Sequence, residues 1–163
     1  MIIQTLRLDL APVDADDARA VLSGERLVGW ASDYPTEGDF VVARMVVGNP
    51  GSLHNPYVPY KIRLRAPGLV IGGCGFLGPP DPAGSVEIGY GLAPSHRGQG
   101  LATEAVNGLI ESAWKDPRVN LVIALTDKDN EPSQGVLRRA GFVQVDAGTE
   151  ALRWECRREP LGP

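Results

Sequence analysis

The sequence predicts an α/β sandwich, with a mixed, mostly antiparallel sheet, a central parallel strand–helix–strand unit and helices on both faces. Three observations lead to this fold. Apolar runs of strand length alternate with amphipathic segments of helical period. Three consecutive strands are separated only by turns rich in Gly and Pro, which indicates an antiparallel meander. One amphipathic helix lies between two apolar strands, and its right-handed crossover requires those strands to run parallel.

The first third of the chain is predicted to hold one strand and two helices. Residues 5–10 alternate between apolar and polar side chains, as in a half-buried strand. Asp14 is a suitable N-cap for a helix that ends at Gly24. A second helix is predicted at about residues 38–47, although its β-branched residues also suit a strand. A loop follows, in which His54 is expected to be solvated.

The rest of the chain alternates between strands and helices. Turns separate the three meander strands, and the helix after them has an apolar stripe of 3.6-residue period. Asn130 is expected to cap the last helix, and Gly141 to end it. The predicted strands are residues 58–65, 69–77, 85–92, 119–126, 142–145 and 151–156, and the helices are residues 98–114 and 131–140.

Length and composition indicate one domain over residues 1–163. The chain is 43% apolar and 22% charged, as is ordinary for a protein with a substantial core. Its net charge of −4 argues against nucleic acid as a partner, because nucleic-acid-binding faces are basic, and is compatible with a cationic amine. No apolar run is long enough for a signal peptide or a transmembrane helix, so a cytoplasmic protein without a membrane partner is expected.

Cysteine and histidine give no sign of a metal site. The chain has two of each, Cys74 and Cys156 with His54 and His96, and their spacing matches no set of metal ligands. Because no export signal is visible, we expect two reduced, buried thiols rather than a disulfide.

A glycine-containing segment at residues 97–102, Arg-Gly-Gln-Gly-Leu-Ala, carries the clearest functional signal. It lies between a predicted strand and a predicted helix, whose first four N–H groups lack intrahelical partners and attract anions. Gly98 and Gly100 have no Cβ, so an anion can approach their backbone closely, and Arg97 adds a positive charge. The segment is a candidate cradle for a diphosphate, although the two glycines alone would also suit a tight turn.

Two other kinds of phosphate loop fit this segment less well. A Walker-type loop ends in Gly-Lys-Ser/Thr, whereas Gly100 is followed by Leu101 and Ala102. A dinucleotide-binding fingerprint needs a small residue at the position of Thr103, and it normally opens a series of alternating strands and helices. Here more than half of the chain precedes the segment. A Rossmann-type nucleotide site is therefore the remote alternative.

Four blocks of sequence form a recognisable signature in their order and spacing. They are Glu87-Ile88-Gly89-Tyr90-Gly91-Leu92, Arg97-Gly98-Gln99-Gly100-Leu101-Ala102-Thr103-Glu104-Ala105, Asn130-Glu131-Pro132-Ser133 and Arg139-Ala140-Gly141-Phe142. Over residues 80–145 the chain resembles the GNAT superfamily of N-acetyltransferases, and especially its RimJ/RimL-like branch of ribosomal-protein N-terminal acetyltransferases. The resemblance implies direct transfer of an acetyl group from acetyl-CoA to a primary amine of a small molecule or a protein N-terminus.

The resemblance also implies where the coenzyme binds. Main-chain amides of residues 98–103 are expected to hold the pyrophosphate. The preceding strand is expected to separate from its parallel neighbour, so that pantetheine lies in the gap. Asn130 matches a position that contacts the pantetheine arm, and on sequence alone it is equally a helix cap. The implied coenzyme-binding residues are Ile88, Tyr90, Leu92, Arg97, Gly98, Gln99, Gly100, Leu101, Ala102, Thr103, Asn130 and Ser133.

Glu87 and Ser133 are the candidates for acid–base chemistry. A lysine-like amine, with an ordinary pKa of about 10.4, must lose a proton before it attacks, so a general base assists transfer. Glu87 lies on the strand that leads into the cradle, and partial burial there would raise the pKa of its carboxyl group. Many superfamily members protonate the leaving thiolate with a tyrosine, but the corresponding residue here is Leu137. Ser133 is therefore the candidate acid. A structural carboxylate and a helix-capping hydroxyl are the respective alternatives.

The acceptor pocket is expected near Trp30 and Tyr34, together with Glu87, by the same resemblance. Aromatic rings can hold an amine cation over their π face, although core packing is the alternative for Trp30. For the coenzyme phosphates, Arg138 and Arg139 are further candidates, with a solvated helix face as the alternative.

Other functions remain open at this stage. The same loop would accept another short acyl-CoA, such as succinyl-CoA. A catalytically silent acyl-CoA-binding module would explain the absent tyrosine. Members of the superfamily often dimerise, which leaves a homodimer open as well.

Overall fold

The computed structural model describes residues 1–52, 56–146 and 150–160. The strands are β1 (Ile3–Gln4), β2 (Leu8–Pro12), β3 (Pro59–Leu64), β4 (Val70–Phe76), β5 (Ser85–Leu92), β6 (Leu121–Thr126), β7 (Val143–Val145) and β8 (Leu152–Arg157). The α-helices are α1 (Ala15–Ser23), α2 (Glu37–Gly48), α3 (Leu101–Ala113) and α4 (Glu131–Arg139), and short 3-10 turns span Pro50–Ser52 and Pro94–His96. The predicted order of elements is confirmed, with one additional strand at the start. His54 lies outside the described residues.

One sheet contains these strands in the order β1-β2-β3-β4-β5-β6-β8-β7. Neighbouring strands are antiparallel except for β5 and β6, which run parallel. The crossover through α3 allows the parallel pair, whereas short turns join β3, β4 and β5 as hairpins. The predicted mixed, mostly antiparallel sheet with a central parallel unit is confirmed.

Helices cover both faces of the sheet, as predicted. Leu10 on β2 packs against α3, where an added Cβ at Gly108 would lie 3.4 Å from Leu10 Cδ1. Leu10 is paired with Ile62 on β3, so their side chains share this face. Lys61 faces the other way, and its Nζ lies 2.6 Å from the carboxylate of Asp17 on α1. Helices α1 and α3 therefore pack on opposite faces.

The first strand is the main correction to the predicted elements. Alternation in residues 5–10 predicts one continuous strand, but a turn at residues 5–7 separates β1 from β2. Leu6 is 86% exposed instead of facing the core with Leu8. The Thr5 hydroxyl accepts a hydrogen bond from the Leu8 N–H at 3.1 Å, which closes the turn. Alternation alone does not reveal such a side-chain hydrogen bond, so this prediction is wrong.

Helix ends follow the predicted caps with one exception. Asp14 caps α1 and Gly24 ends it in the left-handed conformation. Helix α3 begins at Leu101 rather than at residue 98. Gly98 and Gly100 have φ angles of 73° and 76°, which a right-handed helix does not contain. The expected helix therefore loses its first turn to a loop.

Both cysteine thiols are free, but only Cys74 is buried, and Cys156 is half-buried. The expectation of two buried thiols is thus wrong for Cys156, which lies on β8 near the edge of the sheet. In the described ranges, no helix is long and apolar enough to cross a bilayer. The same part of the chain has no group of three His, Cys, Asp or Glu side chains that could hold a metal ion.

Candidate active site

A gap opens between β5 and β6 halfway along the parallel pair. Their pairing runs from Ser85–Leu121 to Ile88–Ala124, after which β5 continues to Leu92 without a partner on β6. Strand β6 continues to Thr126, paired only with β8 in the described sheet. The β5 backbone beyond Ile88 therefore presents N–H and C=O groups that β6 does not satisfy.

A cavity of about 700 Å³ lies at this end of β5, between the N-termini of α3 and α4. Most of the predicted coenzyme-binding residues line it, namely Tyr90, Leu92, Arg97, Gly98, Gly100, Leu101, Ala102, Thr103, Asn130 and Ser133. Ile88 and Gln99 do not line it. The Ile88 side chain is only 3% exposed in the core, and the Gln99 side chain points back to the Ser95 carbonyl at 3.5 Å. The cavity thus brings together ten of the twelve residues, and the side chains of the other two lie elsewhere.

The loop before α3 presents backbone rather than side chains to the cavity. Gly98 and Gly100 are left-handed, which only glycine adopts without strain. Gly100 is the N-cap of α3, and no side chain caps the first turn. The first amide N–H groups of α3, which begins at Leu101, are therefore available to an anion at the positive end of the helix dipole.

Two arginines add positive charge beside these amides. The Arg97 side chain is held by a hydrogen bond from its Nε to the Leu92 carbonyl at 3.0 Å. Arg139 lines the cavity from α4, and its Nε lies 3.5 Å from Thr103 Oγ1. Arg138 points elsewhere, with its guanidinium 5.2 Å from the ring centroid of Trp154. Of the two adjacent arginines, only Arg139 is placed to meet a phosphate in the cavity.

Three polar side chains meet where β5 faces α4. The Asn130 carbonyl Oδ1 accepts a hydrogen bond from the Ser133 N–H at 3.2 Å, so Asn130 caps α4 and also lines the cavity. Tyr90 Oη lies 2.6 Å from Ser133 Oγ and 3.0 Å from the Ser133 carbonyl. Burial raises the pKa of Tyr90, and the hydrogen bond with Ser133 opposes part of that rise. Leu137 is fully buried in the core.

Glu87 lies on the opposite face of β5 from Tyr90, since side chains alternate along a strand. It is half-buried, and no described side chain forms a hydrogen bond or ion pair with its carboxylate. Beyond it, Gly89 and Gly91 leave this face of the strand bare. An added Cβ at Gly91 would meet no atom within 4 Å, and one at Gly89 only Leu77 Cδ1 at 3.6 Å. An open strip therefore runs from Glu87 along β5 beside the gap.

A second carboxylate, which the sequence analysis did not single out, lies on the same face. Gly91 is paired with Gly73 on β4, and an added Cβ at Gly73 would lie 2.6 Å from Asp39 Oδ1 of α2. The other Asp39 oxygen accepts hydrogen bonds from the N–H and hydroxyl of Thr36, both at 2.8 Å. Burial raises the pKa of Asp39 despite these bonds. Thr36 and Asp39 form a capping box at the start of α2, a pattern that does not by itself indicate a site.

Trp30 and Tyr34, the aromatic residues predicted for the acceptor pocket, lie outside the cavity beside β5. Trp30 and Tyr34 pack edge-on with ring centroids 5.0 Å apart, and both are buried. Tyr34 lines a second cavity of about 290 Å³ with Asp33 and Phe40, whereas Trp30 lines neither cavity. Trp30 is thus a core residue, the alternative weighed for it from the sequence.

Hydrogen bonds connect Asp33, which lines the second cavity, to the segment just before the glycine loop (residues 97–100). The Asp33 carboxylate accepts from the N–H and the hydroxyl of Ser95, both at 2.7 Å. Ser95 lies in the 3-10 turn immediately before Arg97. These hydrogen bonds hold the pKa of Asp33 below its ordinary value.

The site combines an uncapped helix N-terminus, a gap between parallel strands and candidate acid–base groups on both faces of β5. A family model described as an acetyltransferase (GNAT) domain matches residues 7–143. The chain belongs to the GNAT acetyltransferase family. The matched residues include all four blocks that carry the resemblance, so the family inferred from the sequence is confirmed.

One curated relative of this GNAT chain is the uncharacterized N-acetyltransferase YjdG of Bacillus subtilis (strain 168). It is 38% identical over 85 residues, which are 52% of this chain and 51% of that protein. The chain thus matches about half the length of this relative.

Two solved structures share the GNAT fold of nearly the whole chain. One is the acetyl transferase of Salmonella typhimurium that modifies the N-terminal serine of 50S ribosomal subunit protein L7/L12. It has a TM-score of 0.73 and 20% identity, with 98% of this chain and 100% of that chain covered. The other is RimL, the ribosomal L7/L12 alpha-N-protein acetyltransferase in complex with coenzyme A. Its TM-score is 0.72 at 20% identity, with 96% and 98% covered. At these identities the likeness shows the fold alone.

Proposed function

We propose that this chain is an acetyl-CoA-dependent N-acetyltransferase that moves the acetyl group directly to a primary amine. The observation that carries this proposal is the gap between β5 and β6, which opens into the 700 Å³ cavity beside the uncapped N-terminus of α3. A long ligand with an anionic end fits this shape, because the anion meets the helix while the remainder follows the free strand edge. The complex of RimL with coenzyme A, a protein of the same fold, supports this choice of ligand.

The residues present suit the diphosphate and the pantetheine arm of acetyl-CoA. Backbone amides of Gly98 to Thr103 would hold the diphosphate, with Arg97 and Arg139 adding charge. The free N–H and C=O groups of β5 beyond Ile88 would pair with the amides of pantetheine. Asn130 faces the same cavity from the start of α4.

Glu87 and Ser133 are proposed to handle the protons of the transfer. The amine nitrogen attacks the thioester carbonyl, the C–S bond breaks, and the leaving thiolate takes up a proton. Glu87 would accept the proton that the amine loses, on the open face of β5. Ser133 would donate to the thiolate on the other face, with Tyr90 hydrogen-bonded to its hydroxyl at 2.6 Å. Tyr90 would replace the proton that Ser133 gives up, and exchange with solvent would then return a proton to Tyr90 and remove the one held by Glu87 before the next turnover.

The acceptor is proposed to be a primary amine, and within that class a protein or peptide N-terminus. An α-amine has an ordinary pKa of about 7.7 to 8.0, so deprotonation at neutral pH costs only about 1 kcal/mol. Glu87 and Asp39 give the open strip a negative character that attracts an ammonium group. The named activity of the Salmonella protein of similar fold supports an N-terminal acceptor. A cytoplasmic location, a homodimer and a single domain over residues 1–163 remain predictions that accompany this proposal.

Release of free thiol from acetyl-CoA tests the proposal directly. The panel should contain N-terminal peptides, the same peptides with a blocked α-amine and one lysine side chain, and polyamines, each with acetyl-CoA or succinyl-CoA. Release with free N-termini and acetyl-CoA is expected. Coenzyme binding without release for any amine would favour the silent acyl-CoA-binding module, and preference for succinyl-CoA would change the acyl group.

The Ser133→Ala variant tests the proposed acid in the same assay. We expect kcat to fall about tenfold or more, with acetyl-CoA affinity changed little, because the lost hydroxyl acts on the leaving thiolate. Ser112→Ala, a serine late in α3 away from the cavity, is the control. Wild-type turnover in Ser133→Ala would remove this residue from the mechanism.

A further inference from the structure

The ion pair between Arg7 and Glu104 lies outside the cavity. It links the N-terminal hairpin, formed by β1, β2 and the turn between them, to the glycine loop. Glu104, in the first turn of α3, accepts hydrogen bonds of 2.6 Å from the Thr5 hydroxyl, the Arg7 N–H and the Arg7 Nε. The Arg7 side chain continues past Glu104, and its Nη1 donates to the Gln99 carbonyl at 3.0 Å. Its Nη2 lies 3.5 Å from the position of a Cβ added at Gly100. Arg7 thus touches the loop from outside and is not among the residues that line the cavity.

The hydrogen bond from Arg7 fixes the direction of one peptide plane in the loop. The peptide between Gln99 and Gly100 is trans, so the Gly100 N–H points opposite to the Gln99 carbonyl. With the carbonyl turned toward Arg7, the N–H is turned away from Arg7, on the side of the cavity that Gly100 lines. Glycines on both sides of Gln99 leave this plane little intrinsic preference, and the contact with Arg7 favours one orientation of it.

Charge makes the same contact important for an anionic ligand. The Glu104 carboxylate lies in the first turn of α3, where the helix dipole stabilises it, but where it also competes with a diphosphate for the same positive end. Arg7 neutralises this carboxylate at 2.6 Å. The Glu104 side chain is 15% exposed, so solvent screens it only in part.

We propose that Arg7 and Glu104 are positioning residues for acetyl-CoA: their ion pair orients the Gln99–Gly100 peptide for the diphosphate and cancels the charge of Glu104. The inference rests on the proposed coenzyme. Neither residue takes part in the proton transfers, so the pair governs affinity for the diphosphate and leaves the chemical step unchanged.

Binding and kinetics of Arg7→Ala test the inference. We expect the Kd of coenzyme A, measured by calorimetry, to rise about tenfold, and kcat at saturating acetyl-CoA to stay within about twofold of wild type. With S-acetylpantetheine, which has no diphosphate, kcat/KM should be the same for variant and wild type. Equal losses with both substrates would mean a general disturbance of the fold and would overturn the inference.

A double variant separates the contribution of the peptide orientation from that of the Glu104 charge. Removing the unpaired carboxylate in Arg7→Ala/Glu104→Gln should recover part of the affinity lost in Arg7→Ala, because repulsion of the diphosphate is gone while the peptide remains free. No recovery would contradict the charge argument. Arg7→Lys, which keeps the charge but cannot reach both Glu104 and Gln99, should lie between wild type and Arg7→Ala, and it serves if Arg7→Ala does not fold.

The control is an ion pair of similar length and exposure that joins β2 and β3 away from the cavity. Arg63 and Asp9 are 2.8 Å apart with side chains 43% and 11% exposed, against 46% and 15% for Arg7 and Glu104. Arg63→Ala should leave the Kd of coenzyme A unchanged. If wild type and Arg7→Ala bound coenzyme A equally tightly, this inference would be overturned and the proposed coenzyme would stand. If wild type bound no coenzyme A, the proposed coenzyme would fail, and the inference with it.

Discussion

Single residues in the site differ in how clearly a sequence marks them. Gly98, Gly100 and Arg97 stand in a compact motif whose physical role follows from local geometry, and all three line the cavity. The role of Glu87 depends on which face of β5 it occupies and on the bare glycines beyond it, which only the sheet reveals. No local pattern indicated a contact between Arg7 and the loop before α3, because its partner Glu104 is 97 residues away in the chain.

Glu87→Gln should lower kcat by about tenfold or more while the Kd of acetyl-CoA changes little, because a general base acts in the transfer step and not in coenzyme binding. The pH–rate profile should change, since an amide cannot accept the proton that the amine loses. Glu111→Gln, at an exposed position on α3, is the matched control. An unchanged pH profile in Glu87→Gln would show that this carboxylate is not the base.

Elements were predicted well where local patterns determine them, and less well where distant contacts do. Strand β5 matches its predicted limits, since both ends are marked by turn residues. The turn at residues 5–7 was missed because hydrogen bonds of Thr5 with Leu8 and with Glu104 of α3 hold it, and an alternating pattern reveals neither. Pairing order and strand separation depend on all neighbours of a strand, and no local pattern encodes them.

The contact between the N-terminal hairpin and α3 should be sensitive to pH. Burial would raise the pKa of Glu104, but hydrogen bonds from Thr5 and Arg7 outweigh it, and the net pKa is below the ordinary 4.5. A lowered folded-state pKa gives stability that is present above about pH 4.5 and is lost as pH falls below it. The difference in unfolding free energy between wild type and Glu104→Gln, from urea titrations, should therefore shrink between pH 6 and pH 3. A constant difference would contradict the ion pair.

Gly108→Ala should show how closely the same two elements pack. Alanine in a helix interior is normally favoured over glycine by about 1 kcal/mol. Here the added Cβ would lie 2.9 Å from Thr5 Cγ2, and Thr5 cannot rotate away without losing its bond to Glu104. We expect a net loss of about 1 kcal/mol in urea unfolding. Gly38→Ala in α2, where no atom lies within 4 Å, should be neutral or stabilising.

At the scale of the whole molecule, coenzyme binding should be visible as thermal stabilisation. A ligand that binds only the folded state, at about 100 times its Kd, adds about 2.7 kcal/mol, which is a rise in Tm of about 5–10 °C for a chain of this size. The rise should decrease with added salt, because the diphosphate contact is electrostatic. Differential scanning calorimetry with and without coenzyme A measures it. No shift at millimolar coenzyme A would contradict the assigned cavity.

Because β5 and β6 separate after Ile88, the sheet lacks backbone hydrogen bonds along part of this strand pair. In the described eight-stranded sheet this gap, or seam, lies between two interior strands. Proteins usually have unpaired strand backbone only at the edges of a sheet. A ligand seated in that seam would act as a partial strand and join the two halves of the molecule, β1 to β5 and β6 to β8. The acyl donor would then be a structural component during each turnover, and its departure would return the molecule to two more loosely connected halves.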